Sequence, residues 1–429
     1  MNKVSTCIKV KVAIIGGGPA GTGTILKAMK DNSFEEYADG GIALVESSSD
    51  LLVGSITKFL VESDTLSDVF LECTQGSTNN YLPLAQLQNE ITEIKKYAGS
   101  PIPLNALHTF LQSLGKLIEN FFATNVQCKL FLRTTAQKIV IKKNNEFDVF
   151  LNNGSIISAK HLIIATGGIS VNGLQDEFNF RDGIDLKAHS KKTINAHDII
   201  QGKSNDLIAK MRSKSKIIIL GGSHSAFSVA DYLIKANKNL KDNSVHIWAN
   251  TKPKLFYLSK EDAQIDQYDD FTESDICPIT HRVFRLAGLR MNGRQLYRKM
   301  LVLGDEEIEK RVTFNLISNQ AHKLNEELKS ADLIIHALGY RFNMVDTYNE
   351  SHDPIYYYGS TSFHWVNDHC NLLNEQGQLI PNLFGVGLAS GFIPKANAGG
   401  EPSFTGQTNG LWYYQNKAAE LILNNILNL

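Results

Sequence analysis

The sequence predicts an α/β protein built on two parallel sheets, each fed by a strand, a glycine turn and a helix. Three observations carry that expectation. An apolar run, Val10 to Ile15 broken only by Lys11, leads into Gly16-Gly17-Gly18-Pro19-Ala20-Gly21 and then a helix-like stretch from Thr22 to Lys30. A second run, Lys216 to Leu220, leads into Gly221-Gly222-Ser223-His224-Ser225-Ala226 and a helical stretch to Ala236. Two more runs, His161 to Ala165 and Ala331 to Ala337, each close on a turn of small residues. Short, continuous apolar runs bounded by glycine fit strands buried on both faces.

Composition bounds the rest. The chain has 429 residues, enough for roughly two or three domains, and 43% of them are hydrophobic. A net charge of −1 gives no global field for nucleic acid or an anionic membrane. The five cysteines are scattered, without a CxxC or metal-ligand spacing, as in reduced cytosolic proteins. His364, His369 and Cys370 lie close in sequence, but no fourth ligand accompanies them, so no metal site is expected. The first strand begins too early to leave room for a signal peptide. No apolar run approaches the roughly 18–20 residues of a membrane span. A cytoplasmic protein is the expectation.

The first glycine turn reads as a dinucleotide fingerprint. Gly16 permits the tight turn, Gly18 lets the backbone approach a pyrophosphate, and Gly21 lets the helix pack on the strand. Pro19 and Ala20 complete the cradle, and the helix start offers free N–H groups to phosphate. The run Gly41 to Val45 ends in Glu46, about 25 residues past the last glycine, where an acid binds a ribose diol. This is a Rossmann-like domain, in three ββα layers. Residues 47–125 read as a helical insertion, with Leu104 to Phe122 its clearest helix. Gly54–Lys58 and Ser63–Thr65 are polar loops, either beside the nucleotide or plain surface. Residues 133–165 read as a three-stranded meander: Gln137–Lys142, Glu146–Leu151 and Ser155–Leu162. It runs into the buried strand His161–Ala165. Thr166 and Gly167 then form a turn where backbone meets a cofactor.

The second turn opens another β-turn-α-β unit, with Ala226 at the third fingerprint position. Gly221, Gly222 and Ser223 form its cradle, and His224 and Ser225 stand beside it. The next strand, Ser244–Ala249, is followed by no acid but by Lys252 and Lys254. Those cations suit a 2′-phosphate, which favours NADPH, with NADH as the alternative. Equally, they suit a solvated loop. Residues 255–300 hold Asp262, Asp266, Asp269, Asp270 and Asp275, then His281, Arg282, Arg285, Arg290, Arg294 and Arg298. The basic cluster either grips a cofactor phosphate or acidic substrate, or pairs with those acids. Ala331–Tyr340 returns the chain to the first sheet, with Tyr340 and Arg341 at the cleft or at an exposed strand end. Tyr356–Tyr358 and Phe363–Trp365 line an aromatic pocket or, more in keeping with their density, the core. Pro381–Leu388 is one more buried strand ending in glycine, and Gly406 to Gly410 precede a terminal helix, Leu411–Leu427.

Together these motifs resemble the two-dinucleotide-binding flavoproteins built like glutathione reductase. The resemblance rests on Gly16–Gly21, Glu46, Ala165–Gly168, Gly221–Ala226 and Ala337–Tyr340. It implies FAD in the first cradle and NAD(P)H in the second. It implies a nucleotide domain, 191–329, inserted into an FAD domain made of 1–190 and 330–429. It also implies that Gly387 lies by the flavin ribityl chain and that Gly406 and Gln407 approach the pyrimidine edge of the ring. Within the superfamily the chain is most similar to flavin-containing and N-hydroxylating monooxygenases, whose G-x-G-x-S-A and A-T-G-Y motifs it approaches. Leu338 replaces the Thr, Gly387-Leu388 replaces a Gly-Asp pair, and the aromatic motif of amino-acid N-hydroxylases is missing after Glu46.

The resemblance implies an NADPH-using monooxygenase acting through a C4a-(hydro)peroxyflavin, with O2, on a small N-, S- or carbonyl-containing metabolite. Such chemistry needs no side-chain acid or base, so no catalytic residue is named. The alternative is a flavin-dependent NAD(P)H reductase or dehydrogenase with a non-oxygen acceptor. A disulfide reductase would need a thiol pair or one reactive thiol, and Cys73 and Cys128 read as buried hydrophobes. Paired cradles weigh against a non-catalytic nucleotide-binding protein. Oligomeric state is left open.

Overall fold

The computed structural model describes residues 7–172, 184, 186–304, 307–318, 320–362, 364–394 and 399–428. β1 (Cys7–Ile15) leads through the glycine turn to the helix Gly23–Lys30 and on to β2 (Ile42–Val45). The two strands pair in parallel, Val12 opposite Ile42 and Ile15 opposite Val45. Val12 to Ile15 and all of β2 are at most 3% exposed. Neither strand alternates, because layers cover both faces.

The stretch after Glu46 is largely helical as expected, with an α-helix at Gln88–Lys95 besides the longer one at its end, but it also holds two unexpected strands. It contains β3 (Glu62–Leu66) and β4 (Pro101–Pro103), an antiparallel pair. Their sequences hide them: β3 is polar, and β4 carries two prolines, which a sheet edge tolerates. Between them run short 3-10 turns at Ser67–Thr74, Gly76–Asn80 and Leu84–Leu87. The expected Leu104–Phe122 helix starts as a 3-10 turn over Leu104–Leu107 and becomes regular at His108–Thr124. Phe110, Leu114, Leu117 and Ile118 fall on its buried face at three- and four-residue spacing.

β5 (Cys128–Phe131) joins the free edge of β2. β6 (Ala136–Ile141), β7 (Phe147–Leu151) and β8 (Ile156–Ile164) form the meander. Its third strand and the buried His161–Ala165 run are one element, β8. The first half of β8 pairs antiparallel with β7, while its whole length lies parallel to β1. β9 (Gly168–Ser170) leaves this sheet.

The second sheet collects β10 (Thr193–Asn195), β11 (Ile217–Leu220), β12 (Val245–Ala249), β13 (Val312–Leu316) and β14 (Leu333–His336). They run all parallel in the order β10-β14-β11-β12-β13, so Leu333–His336 is a central strand of this sheet and not, as expected of Ala331–Tyr340, the return to the first; the inserted unit extends past 329 to His336. Ile217, Ile219, Val245 and Ile335 pack on one face with the helix His224–Ala236. Ile218, Leu220, Trp248 and Ile334 pack on the other with Leu324 and Leu328 of the helix Ala321–Ser330. That is the three-layer arrangement, and each fully buried Ile or Leu contributes about 1.5–3 kcal/mol.

β15 (Tyr340–Phe342) pairs antiparallel with β9, so the two crossings between the sheets lie side by side. β16 (Thr347–Asn349) adds to β6, β17 (Asn371–Leu373) pairs with β18 (Leu379–Gly385), and β18 lies parallel to the second half of β8. The first sheet is therefore built from both ends of the chain, with the 193–336 sheet inserted between them. The terminal helix runs from Leu411 to Leu427, but Tyr414–Ala418 widen into a π turn. Among the described residues no helix is long and apolar enough to cross a membrane.

Candidate active site

The first cradle shows what each glycine is for. Gly16 has φ +107°, and a Cβ there would fall 2.3 Å from the Ala165 carbonyl oxygen. A Cβ on Gly21 would fall 1.8 Å from the oxygen of Gly16. Both positions are closed by the fold itself. At Gly18 a Cβ would meet nothing within 4 Å, so the turn faces open space where a pyrophosphate would lie. Glu46 follows β2, and its Oε2 accepts the Gly17 N–H at 2.7 Å. Its Oε1 accepts the Ser48 N–H at 2.7 Å and the Ser47 hydroxyl at 3.1 Å. The carboxylate is thereby fixed against the glycine turn. Gly54 approaches Pro19, where its Cβ would lie 3.7 Å from Cδ.

Later segments close on the same turn. A Cβ on Gly387, whose φ is +113°, would stand 3.1 Å from the Cβ of Ala20. Thr166 donates its hydroxyl to the Asn343 carbonyl, and Asn343 donates its N–H to Gly167 at 3.0 Å. The Thr166-Gly167 turn is thus tied to the return crossing. Ala389 donates its N–H to Asn409 Oδ1 at 2.8 Å, joining the loop after Gly387 to the approach of the terminal helix. On these joined segments Ser390 Oγ, Gln407 Oε1 and Thr408 Oγ1 are buried and have no hydrogen-bond partner. Gly406 is exposed beside them. Open space over Gly18, a fixed carboxylate and orphaned polar atoms fit an extended dinucleotide such as FAD.

The second cradle repeats the first. Gly221 has φ +131°, and its Cβ would fall 2.4 Å from the carbonyl oxygen of Ala337, as Gly16 does with Ala165. Gly222 stands where Gly17 stands in the first cradle, and its Cβ would strike the Ala249 Cβ at 2.5 Å, so it serves packing; Ser223 takes the place of Gly18. Ser223 is exposed at the start of the helix His224–Ala236, in an extended conformation. His224 follows with its Nε2 buried and without a partner, and Ser225 is half-buried. Burial pulls the His224 pKa down; Asp64 opposes this and Arg290 adds to it. The Ser63–Thr65 segment is part of the strand β3 rather than a loop, and Glu62 of that strand accepts from Asn292 Nδ2 at 2.7 Å. Lys252 is exposed just beyond β12. Lys254 is not available beside it: its Nζ lies 3.4 Å from Asp275 and 4.4 Å over the Phe284 ring.

The basic run of 282–298 divides. Arg298 Nε donates to Asp266 at 2.6 Å, Tyr257 donates its hydroxyl there at 2.6 Å, and Arg294 lies 3.6 Å away. For these the ion-pair reading holds. Arg290 stacks on Phe256 at 4.6 Å and donates to the Arg285 carbonyl, while Arg285 lies 5.8 Å over the Tyr413 ring. The aromatic segments also divide. Tyr357 and Trp365 are core at 5% and 8% exposed, whereas Tyr356 and Tyr358 are exposed and not core. Phe363 lies outside the described residues. Tyr340 sits at the crossing, its hydroxyl 3.1 Å from His197 Nδ1, and Arg341 is exposed.

One residue escaped the sequence reading. Cys277 is fully buried, and burial alone raises its thiol. The Thr280 hydroxyl and the N–H groups of Thr280, Gly400 and Ile279 outweigh that and hold it at about 6. Its Sγ accepts from Gly400 at 3.3 Å and from Arg285 at 3.7 Å. In contrast, burial pushes Cys73 and Cys128 up to about 12. No sequence signal marks Cys277, because its partner Gly400 is 123 residues away.

Comparison with known proteins agrees with this geometry. A curated relative, the CMP-5′-(3-aminopropyl)phosphonate hydroxylase of Streptomyces rubellomurinus, is 26% identical over 434 residues, covering 96% of each chain. The FAD-bound cadaverine monooxygenase of the desferrioxamine pathway of Erwinia amylovora aligns with all of this chain and 95% of its own, at 11% identity and a TM-score of 0.56. The L-lysine 6-monooxygenase of Pseudomonas syringae aligns over 98% of this chain and 99% of its own, at 12% identity and a TM-score of 0.55. These two solved structures share the fold. Residues 10–349, most of the chain, match the pyridine nucleotide-disulphide oxidoreductase family. The chain belongs to that family and is a flavin-dependent oxidoreductase.

Proposed function

We propose that the protein is an NADPH-using monooxygenase that oxygenates the amine nitrogen of a small metabolite in the cytoplasm. The unit built on the first sheet, residues 1–190 with those after His336, would hold FAD, and residues 191–336, which include β14, would hold NADPH. The observation that carries this reading is the repeated cradle: Gly16 against Ala165 and Gly221 against Ala337, one in each parallel sheet. A hydroxylase that matches along its whole length, and whose named substrate carries an aminopropyl group, supports oxygenation over reduction.

In this reading the Gly18 backbone meets the FAD pyrophosphate, and Glu46 takes the ribose hydroxyls. Gly387, Gly406 and Gln407 border the flavin. Ser223, His224 and Ser225 meet the NADPH phosphates, and Lys252 faces the 2′-phosphate. Bound FAD supplies hydride acceptance from NADPH and the activation of O2. The chain's own work is to orient the two cofactors and exclude water.

The test is anaerobic reduction of the FAD-loaded protein by NADPH or NADH, then rapid mixing with O2 and a panel of primary amines. Faster reduction by NADPH, a transient absorbance before the oxidised flavin returns, and an atom of 18O in the amine product are expected. Direct return without the transient, and no labelled product from any amine, would move the protein to the reductases.

A further inference from the structure

The two units are joined by more than the crossing strands. β9 and β15 lie side by side as one ribbon, and two bodies joined along one ribbon remain free to turn about it. A third tie comes from the stretch after Glu46. Residues 59–62, at the start of β3, leave the first unit and lie against the second. Phe59 and Val61 pack on the core of the second sheet. Leu60 donates its N–H to the Ile200 carbonyl at 2.7 Å, and a Cβ on Gly202 would fall 2.6 Å from its Cδ1. Glu62 accepts from Asn292 at 2.7 Å, on a different helix, Met291–Leu301.

This stretch is bonded along both edges. The Leu60 N–H goes to the second unit, while the carbonyl of Val61 accepts the Leu104 N–H at 3.0 Å, within the first. Successive residues of an extended strand present their backbone groups to opposite sides, so one strand can serve two neighbours. Its root is held as well. Thr57 Oγ1 lies 3.2 Å from His108 Nδ1, and Ile102 donates its N–H to Ser63 Oγ at 3.1 Å. His197 joins this tie to the ribbon. Its ring stands edge-on to Phe59 at 5.3 Å, and its Nδ1 is 3.1 Å from the Tyr340 hydroxyl of β15. Ser170 of β9 donates to Asn195, two residues earlier, at 3.0 Å. Ribbon and strand therefore grip the short helix Ala196–Ile200 together, and Glu62 extends the hold to a second helix. A contact off the ribbon removes the turning freedom that the ribbon alone leaves.

We propose that residues 59–62 clamp the second unit in one orientation and so position NADPH in the second cradle for hydride transfer to FAD in the first. This rests on the reading that the two cradles hold those cofactors. The transfer oxidises NADPH to NADP+ and reduces FAD. It needs donor and acceptor about 3–3.5 Å apart, and a misplacement of about 1 Å costs about 100-fold. Phe59, Leu60 and Glu62 are positioning residues that act through the unit they hold.

The experiment pairs a distance with a rate. Spin labels are attached through Val126→Cys in the first unit and Ile265→Cys in the second, at side chains 85% and 80% exposed, in a Cys7→Ser background. Double electron–electron resonance reads their separation in the FAD-loaded protein, alone and with Phe59→Ala, Glu62→Ala or Glu62→Gln. Glu62 is exposed, so its variants keep the fold, and thermal melts check Phe59→Ala. One narrow distribution is expected with the clamp intact, and one at least about twofold wider in Phe59→Ala. Anaerobic flavin reduction at saturating NADPH should slow about 10- to 100-fold in Phe59→Ala and about 3-fold in Glu62→Ala. Glu62→Gln should restore the rate, because its amide oxygen still accepts from Asn292. NADP+ affinity, measured by calorimetry, should stay within about twofold of wild type. A wide distribution in the intact protein, or a width that no variant changes, overturns the clamp. So does a Phe59→Ala variant that reduces flavin at the wild-type rate. A loss of NADP+ affinity in step with the rate would place the strand in the coenzyme site and overturn it too. A narrow distribution that widens in Phe59→Ala, in a protein that neither NADPH nor NADH reduces, would keep the clamp and sink the coenzyme reading instead.

Discussion

At Gly18 folding and binding come apart. A methyl group there meets no protein atom within 4 Å, whereas at Gly21 it would sit 1.8 Å from backbone. Gly18→Ala should leave the melting temperature of the FAD-free protein unchanged while lowering FAD affinity more than about 10-fold, because the methyl occupies pyrophosphate space. Gly21→Ala should cost about 1–3 kcal/mol or more of stability by overpacking. Thermal melts and flavin-fluorescence titration separate the two, and a destabilised Gly18→Ala would contradict the assignment. Lys252 offers a second residue-scale test. Lys252→Glu should raise the KM for NADPH about 10-fold and leave that for NADH nearly unchanged, as a phosphate-directed charge would. Equal effects on both coenzymes would remove Lys252 from the site. The fingerprint residues were legible because their spacing along one turn carries the signal, even though Gly16 and Gly221 answer the distant carbonyls of Ala165 and Ala337. Lys254 was not, because Asp275 reaches it only after the 255–300 loop has folded. Cys277, bonded across 123 residues to Gly400, lies further still beyond sequence reasoning.

Elements were legible in proportion to how continuously apolar they are. β2, β11 and β14 read directly from short runs of Ile, Leu and Val, and β1 from a run interrupted by Lys9 and Lys11. β3 and β4 did not, because a polar strand and a proline-bearing one carry no periodic signal. The π turn in the terminal helix was invisible, since it barely disturbs an apolar face. β8 shows how one strand can look like two. Its centre holds His161, whose Nδ1 is buried without a partner and whose ring stacks on Phe384 at 6.5 Å. Burial, then Lys11 and Lys160, lower its pKa to about 4. The folded state therefore binds fewer protons than the unfolded chain between about pH 6.5 and 4. Its contribution to stability is intact above about pH 6.5 and is lost progressively as pH falls through that window. His161→Gln should flatten this acid loss, measured as urea midpoints from pH 7 to pH 4. An unchanged pH slope would show that His161 is not the group responsible.

For the whole molecule the main feature is that β1 and β18 both flank β8, one from each end of the chain. A dinucleotide bound between Gly18 and the Gly387 loop would tie those ends together. FAD at about 100 times its dissociation constant should then add about 2.7 kcal/mol to the stability of that unit. Calorimetry with and without FAD should show the corresponding rise in its transition. NADP+ should act on the 193–336 sheet instead. Melting that ignores saturating FAD would deny the link. The same arrangement governs the order in which the protein becomes itself during synthesis. The inserted sheet is complete once His336 has emerged, and its strands need nothing that follows. The outer sheet has its first strand at residue 7 and must wait for Gly385 before β8 gains its last neighbour. For most of translation β8 carries an open edge, the kind that pairs with the wrong chain. The half built first is thus the last to be finished, and it is the half on which a nascent-chain chaperone has most to do.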